Sequence, residues 1–238
     1  MGGTMRDTSE PTRLVPILLC LGLIAVYPFL SVPVQQAAAH LAPRLGEVPA
    51  RFATEGAIWA YAGIVLAIAL FGERRTLASI GLKRPTPAVI PWGIGATLAL
   101  LAAGAAASFL TYNVLHLAHA NRTPAQVEAI MHGSLAYGIA LAIRGGVIEE
   151  LFYRGLAIEQ LTVLTKSRAF AALVATLVFV FSHALRFDPA QLIPIATLGF
   201  ALAGLYLWRR NLWINMIAHA AVDAIAFTAV ALHATKLY

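Results

Sequence analysis

Charged residues are scarce in this chain, since Asp, Glu, Lys and Arg make up 12% of its 238 residues and only 11 are acidic. In a typical soluble globular domain, about a quarter of all residues are charged. Apolar residues reach 60%, and the mean hydropathy is +0.77. These values exclude an ordinary soluble fold, leave no room for a second soluble domain and indicate a chain embedded in a membrane.

Cysteine is also nearly absent. The single cysteine, Cys20, can form no internal disulfide, and its place in an apolar segment predicts a small core residue rather than a metal ligand or nucleophile. The 17 basic residues give a net charge of +6. They are spread over short connections and form no patch with interleaved aromatics, so we expect no nucleic-acid partner.

The apolar residues are grouped in long segments, whereas a β-barrel would show short alternating ones. A helix needs about 20 apolar residues to cross a hydrocarbon layer of about 30 Å. The sequence therefore predicts an all-α, polytopic membrane helix bundle of about seven to eight transmembrane helices, as a single integral membrane domain over residues 1–238. The segments are Leu14–Val34, Ala57–Phe71, Ala88–Asn113, Ser134–Leu164, Ala169–Leu185, Gln191–Trp208 and Leu212–Leu232.

The connections between these segments are short and polar. We expect a polar loop between the first two segments, a short interfacial helix in "RRTLASIGLKRP" after the second, and a polar loop "HLAHANRTPAQVEAIMHG" after the third. The segments themselves show no internal repeat. A repeat would be expected of many small transporters.

Basic residues are unevenly distributed over the connections. Because Lys and Arg favour the cytoplasmic side, their bias predicts an N-terminus in the cytoplasm. We expect the surrounding membrane to be the bacterial plasma (inner) membrane. The cytoplasmic connections would hold Arg6, Arg13, Arg74, Arg75, Lys83, Arg84, Lys166, Arg168, Arg209 and Arg210. The opposite side would hold Arg44, Arg51, Arg122, Arg186 and Lys236.

Three acidic residues, Glu149, Glu150 and Asp223, fall inside apolar segments. An ionisable group costs roughly 3 kcal/mol or more in that environment, so each needs a reason. Glu150 and Arg154 are spaced i, i+4, which predicts an ion pair on one helix face. One interpretation of "EELFYR" is therefore a buried ion pair that fixes helix register, but it leaves Glu149 without a partner in its own segment.

Two histidines in apolar segments favour a chemical role. His183 lies near the end of the fifth segment, and His219 precedes Asp223 by four residues on one helix face. A carboxylate and an imidazole in a low-dielectric pocket can activate water for hydrolysis of a peptide bond. The same residues are compatible with a proton relay in a transporter, or with a zinc site of Glu149, His183 and His219. The remaining histidines are interpreted as interfacial: His40, His116, His119, His132 and His233.

Three short motifs occur in order within these segments. "EELFYRG" fits the pattern EExxxR, "FVFSH" (Phe179–His183) fits FxxxH, and "HAAVD" (His219–Asp223) stands where HxxxN or HxxxD is expected. In this order and at these separations, they resemble the CPBP family of CAAX proteases and bacteriocin-processing enzymes, also called the Abi family. The resemblance covers a core over residues 133–232.

This resemblance implies a glutamic-type intramembrane protease with its catalytic water in a cavity between helices. Because the chain has no HExxH helix, we expect no cofactor and favour metal-free chemistry over the zinc alternative. Glu149 would activate water as the general base and His183 would assist it. Glu150 and Arg154 would support and orient that site, and His219 would bind the oxyanion. At 1.5 Å per residue the segment boundaries place the two histidines at depths about 10 Å apart, so the fifth segment must tilt or start shallower for both to meet Glu149.

Asp223 departs from the asparagine of the family pattern. An ionised aspartate cannot donate a hydrogen bond to an oxyanion. Asp223 would therefore either stay protonated or, as we favour, act as an acceptor that orients His219.

The expected function is an endopeptidase whose partners are the lipid bilayer and a membrane-proximal or lipid-modified protein or peptide substrate. The alternative is a non-catalytic membrane scaffold or a bacteriocin-immunity protein of the same fold.

Overall fold

The computed structural model describes residues 10–117, 131 and 133–234, and within these ranges the chain is helical without strands. The α-helices are α1 Glu10–Val26, α2 Ser31–Leu45, α3 Glu47–Ala67, α4 Val89–Phe109, α5 Leu135–Arg144, α6 Ile158–Thr165, α7 Arg168–His183, α8 Leu192–Arg209 and α9 Leu212–Ala234. The π-helices Ile68–Gly72, Leu110–Val114 and Gly145–Ala157 continue α3, α4 and α5. Short 3-10 helices cover Tyr27–Leu30, Leu77–Ile80 and Pro189–Gln191.

The all-helical class is confirmed for the described residues, but the expected seven to eight transmembrane helices are not. Five helical runs are long and apolar enough to cross a membrane: Leu14–Leu45, Glu47–Gly72, Val89–Val114, Pro189–Arg209 and Leu212–Leu232. Two of the seven predicted segments are missing from this set for physical reasons. The run from α5 to α6 carries several charged residues in its middle, and α7 has only 16 residues.

The prediction of a polar loop between the first two segments is wrong. The chain stays helical through α2 to Leu45 and enters α3 at Glu47. Residues 35–42 are rich in Ala, Gln and Leu, which are good helix formers whether or not they are apolar. The reversal is confined to Gly46, whose φ of +86° is readily adopted by glycine.

The other connections are resolved in part. The interfacial helix expected after the second segment is a single 3-10 turn, Leu77–Ile80, whose N-terminal amide at Ser79 donates to the hydroxyl of Thr76 at 3.2 Å. The polar loop after the third segment lies mostly outside the described residues. The same holds for Arg6, Arg122, Lys236, His119 and His132, and for the side chains of Arg13 and His233.

Large apolar side chains cover the outside of the bundle, as expected for an integral membrane protein in contact with lipid. Examples with more than half of their surface exposed are Val15, Phe29, Phe71, Phe109, Phe181 and Trp208. The interior packs around Phe152, whose ring meets Tyr27 edge-on at 5.2 Å. Cys20 is fully buried in this core with its Sγ 3.6 Å from the carbonyl of Val65, so its prediction as a core residue is confirmed.

Hydrogen bonds between connections show which of them lie at the same end of the bundle. The amide of Leu212 donates to the carbonyl of Gly81 at 2.9 Å, and the indole of Trp213 donates to the carbonyl of Lys83 at 2.8 Å. The connection between α3 and α4 therefore lies beside the connection between α8 and α9.

Glu159 joins a third connection to this end. Its carboxylate accepts from Arg168, at the start of α7, and from Arg210, at the end of α8, each at 3.0 Å. We call residues 73–84, 159–168 and 209–213 the basic end. Because α7 leaves the basic end at Arg168 and α8 returns to it, residues 184–191 lie at the opposite end.

Candidate active site

The sequence "GGVIEELFYRGLA" forms the π-helix Gly145–Ala157, which continues α5 into the core. π-helical turns are rare and recur at functional sites. The two adjacent glutamates of this helix have different surroundings. Glu149 is half-buried and lines a cavity, whereas Glu150 is fully buried.

Glu150 is the centre of a buried polar network. Arg154 donates to its Oε1 at 2.8 Å, so the ion pair expected from the i, i+4 spacing is present, and both side chains are at most 1% exposed. The second terminal nitrogen of Arg154 donates to the carbonyl of Gly199 at 3.0 Å. Asn215 donates to Oε2 of Glu150 at 3.2 Å, and Nδ1 of His219 lies 2.8 Å from Oε1. These four contacts neutralise and position the carboxylate of Glu150 and the guanidinium of Arg154, each of which would be costly to bury alone.

Phe179, the first residue of the FxxxH motif, joins this network to both histidines. Its ring lies under the guanidinium of Arg154, at 4.5 Å, and edge-on to Tyr153, at 5.3 Å. The same ring is 4.6 Å from the imidazole of His183 and 6.2 Å from that of His219. The two histidines therefore reach one site despite the depth difference that the segment boundaries suggested.

Gly146 allows α9 to pack unusually close to the π-helix. A Cβ atom at this position would lie 2.6 to 2.8 Å from the backbone and Cβ of Ala220, closer than real Cβ atoms pack. Only glycine permits this contact. Because Ala220 follows His219 directly, the close approach brings His219 against Glu150.

The cavity beside the π-helix has a volume of about 360 Å³, and its lining includes Glu149, His183, His219 and Asp223. Oδ2 of Asp223 and Oε1 of Glu149 both lie within 4.0 Å of the point where Gly145 would carry a Cβ. Oδ2 of Asp223 is also 3.6 Å from Nε2 of His219. Four of the six candidate residues thus line one cavity, while Glu150 and Arg154 lie buried behind it.

The hydrogen bonds restrict the proton positions on both imidazoles. Nδ1 of His183 lies 2.8 Å from the carbonyl oxygen of Phe179, which can only accept, so Nδ1 is the donor there and Nε2 is left for the cavity. Glu150 is held as a carboxylate by Arg154, so Nδ1 of His219 donates to it. Glu149 forms no hydrogen bond or ion pair within the part of the chain that the structure describes.

Among the described residues, no group of three or more His, Cys, Asp or Glu side chains lies close enough to hold a metal ion.

Sequence reasoning missed several residues that complete the site. Asn215 is fully buried and also donates to the carbonyl of Leu202, at 2.8 Å. It lies four residues before His219, so the helical spacing that linked His219 to Asp223 could have identified it. Arg144 and Arg186 also line the cavity. The sequence had assigned Arg186 only to a connection on the opposite side of the membrane.

The comparisons with known proteins agree with the motifs. Residues 131–225, about two fifths of the chain, match the family model described as "Type II CAAX prenyl endopeptidase Rce1-like". The matched region contains all three motifs, so the resemblance to CAAX proteases of the CPBP family is confirmed there. No curated protein and no solved structure matches the chain.

Proposed function

We propose that the protein is a glutamic-type intramembrane endopeptidase that hydrolyses a peptide bond in a membrane-proximal or lipid-modified protein substrate. The observation that carries this proposal is the placement of Glu149. Its carboxylate has no protein partner among the described residues and lines a cavity with His183, His219 and Asp223 inside an apolar bundle. A carboxylate with free lone pairs beside a cavity is suited to take a proton from water.

In the proposed reaction, Glu149 removes a proton from a water molecule while the water oxygen bonds to the scissile carbonyl carbon. The Nε2 lone pair of His183 shares that proton, because Nδ1 is already engaged with Phe179. The carbonyl oxygen becomes an oxyanion. When the C–N bond breaks, the proton held by Glu149 passes to the leaving amine, so Glu149 returns to its starting state.

His219 is proposed to bind the oxyanion through Nε2. Because its Nδ1 already donates to Glu150, Nε2 can donate as well only in the imidazolium form. Asp223, 3.6 Å from Nε2, stabilises that positive form and orients the ring. In this proposal Asp223 does not donate to the oxyanion, as the asparagine of the family pattern would. It instead keeps Nε2 of the neighbouring His219 protonated, so that His219 is the donor.

We further propose that water activation is metal-free, with zinc on Glu149, His183 and His219 as the alternative. The test is activity after exhaustive chelation. Retained activity supports the carboxylate mechanism. Loss of activity that added zinc restores would replace it by a metal mechanism.

The membrane orientation is also a proposal. The basic end gathers eight of the ten basic residues expected in the cytoplasm: Arg74, Arg75, Lys83, Arg84, Lys166, Arg168, Arg209 and Arg210. This clustering supports a cytoplasmic basic end and a cytoplasmic N-terminus. We further propose that the membrane is a bacterial plasma membrane. The cavity lining includes Arg186 and Phe187, from the opposite end. We therefore propose that the cavity opens away from the cytoplasm.

The decisive experiment is co-expression with a panel of membrane-anchored substrates, including prenylated C-terminal reporters, followed by mass spectrometry of the products. Wild type, Glu149→Gln and the exposed control Glu47→Gln are compared at matched membrane levels. Cleavage by wild type and the control, but not by Glu149→Gln, supports a glutamate-dependent protease. Equal processing by all three, or by none across the panel, would instead favour the scaffold or immunity protein.

A further inference from the structure

A cation lies against two indole rings where α4 begins and α8 ends. The guanidinium carbon of Arg209 is 4.0 Å from the centre of the Trp92 ring and 5.3 Å from that of Trp208. The two indoles meet edge to face, with 5.4 Å between their centres and 84° between their planes. Contact with aromatic faces therefore holds Arg209 in place, whereas a lysine on a flexible stem would be free to move.

The charge of Arg209 has no acidic partner among the residues that the structure describes. The basic end contains eight basic residues and only two acidic ones, Glu73 and Glu159. Both carboxylates are buried and already paired, Glu73 with Arg75 at 2.6 Å and Glu159 with two further arginines. Stacking uses the face of a guanidinium and leaves its N–H edges free. Arg209 can therefore still donate two parallel hydrogen bonds to an anion.

Two more cations lie in the adjoining connection. The indole of Trp213, four residues after Arg209, donates to the carbonyl of Lys83 at 2.8 Å. This bond fixes the connection that carries Lys83 and Arg84 beside the end of α8, and both of these side chains are exposed. Their positive charges add to the attraction that Arg209 exerts on an anion at the membrane surface.

The depth of Trp92 and Trp208 identifies the medium around this cation. Trp92 lies near the start of the helical run Val89–Val114 and Trp208 near the end of Pro189–Arg209, and both runs are long and apolar enough to cross a membrane. The two rings are 39% and 67% exposed. Exposed indoles at the ends of spanning helices lie at the level of the lipid headgroups. The anion that surrounds Arg209 at this depth is the phosphate of a lipid.

Two exposed glycines lie one helical turn further into the apolar part of the same helices. Gly95 is three residues from Trp92 and Gly204 is four residues from Trp208, so each shares a helix face with its indole. No atom lies within 4 Å of an added Cβ at either glycine. The surface next to the indoles is therefore open to an acyl chain, which a lipid has and a free phosphate lacks.

We propose that Arg209 and the two indoles form a binding site for an anionic phospholipid. The phosphate accepts from the guanidinium, and an acyl chain lies along α4 and α8 past the two exposed glycines. Lys83 and Arg84 favour a headgroup with a net negative charge over a zwitterionic one, because the ammonium group of the latter is repelled. The inference goes beyond the proposed function and does not depend on it.

The test measures lipid binding to the purified full-length protein by native mass spectrometry. Phosphatidylglycerol is the anionic probe, and phosphatidylcholine with the same acyl chains is the zwitterionic one. Wild type is compared with Arg209→Gln, Arg209→Lys and the matched control Arg44→Gln. Arg44 is exposed near the Gly46 turn, so its substitution removes the same charge at the opposite end of the bundle.

We expect Arg209→Gln to bind phosphatidylglycerol about 10- to 100-fold more weakly than wild type, the usual effect of losing charge-assisted hydrogen bonds. Arg209→Lys keeps the charge but loses the planar, stacked group, so we expect binding roughly 3- to 10-fold weaker than wild type. Arg44→Gln is expected to bind like wild type, and both are expected to prefer phosphatidylglycerol to phosphatidylcholine.

Three results would overturn the site. The first is equal binding of the two lipids by wild type, and the second is unchanged affinity for phosphatidylglycerol in Arg209→Gln. The third is full affinity in Arg209→Lys, because any positive charge on the surface would then suffice. Displacement of the lipid by millimolar inorganic phosphate would assign the site to a free anion and overturn the lipid.

Fluorescence quenching locates the site without a change at Arg209. In vesicles, phosphatidylglycerol with brominated acyl chains is expected to quench the tryptophan fluorescence of wild type more than brominated phosphatidylcholine at the same mole fraction. This difference is expected to disappear in Trp92→Phe/Trp208→Phe, which retains Trp59 and Trp213 as references. Equal quenching of wild type by both lipids, or an unchanged difference in the double variant, would overturn the site.

Discussion

Nδ1 of His219 lies 2.8 Å from Oε1 of Glu150, the same oxygen that accepts a hydrogen bond from Arg154. One buried carboxylate therefore fixes two cationic or polar side chains from different helices. Glu149, one residue earlier, is left to face the cavity. The adjacent glutamates are thus not equivalent, and the roles proposed for them can be separated experimentally.

The first prediction contrasts the two glutamates. Glu150→Ala leaves Arg154 as a buried charge without its partner, so we expect the free energy of unfolding to fall by about 3 to 5 kcal/mol. Glu149→Gln removes no hydrogen bond between described residues, so we expect a change within about 0.5 kcal/mol together with loss of cleavage. Denaturant unfolding in detergent and peptide cleavage measure the two effects. Similar destabilisation by both substitutions would contradict this division of roles.

The second prediction concerns Asp223→Asn. The substitution removes a negative charge 3.6 Å from Nε2 of His219, which makes the imidazolium less stable. We expect the alkaline limb of the pH–rate profile to move to lower pH by about one unit or more. The profile of kcat/KM between pH 5 and pH 10, compared with that of wild type, measures the shift. Activity and a profile identical to wild type would rule out an orienting acceptor at this position.

The third prediction tests the close approach at Gly146. Gly146→Ala places a methyl group against the backbone of Ala220, so α9 must move and carry His219 away from Glu150. We expect a loss of about 1 to 3 kcal/mol in the free energy of unfolding, as for other overpacked sites, and a lower kcat. Gly95→Ala is the matched control, because no atom lies within 4 Å of its added methyl group. Equal behaviour of the two variants would contradict the packing argument.

The fourth prediction tests the membrane orientation. Single cysteines are introduced at exposed positions of opposite ends, Arg84→Cys at the basic end and Arg44→Cys near the Gly46 turn, in a Cys20→Ala background. With the basic end in the cytoplasm, a membrane-impermeant maleimide is expected to label Arg44→Cys in intact cells. Arg84→Cys is expected to react only after permeabilisation. The reverse pattern would place the cavity opening on the cytoplasmic side.

Local properties of the sequence predicted much of this molecule. Long apolar segments predicted the helices to within a few residues in most cases, because each segment is recognisable from its own composition. The i, i+4 spacing predicted the Glu150–Arg154 ion pair, since both partners lie on one helix face. The polar loop between the first two segments was wrong, because polarity was taken to mean loop where the residues are good helix formers.

Contacts between helices could not be predicted in this way. Spacing alone did not reveal that Asn215 and His219 of α9 share Glu150, or that Gly146 allows Ala220 to approach. Such contacts depend on how two helices cross, and the crossing is decided by the summed packing of many side chains rather than by any short motif.

By itself, therefore, the sequence determined that the chain is an apolar helical protein with a few costly polar residues, because the cost of burying a charge is a property of each residue. Only the tertiary structure decided where those residues lie. It buries Glu150 in a neutralised network and places Glu149 in the lining of a cavity, together with His183 and Arg186. Two neighbouring carboxylates have different surroundings because successive residues of a helix point in different directions. Glu150 therefore reaches Asn215 and His219, whereas Glu149 lines the cavity.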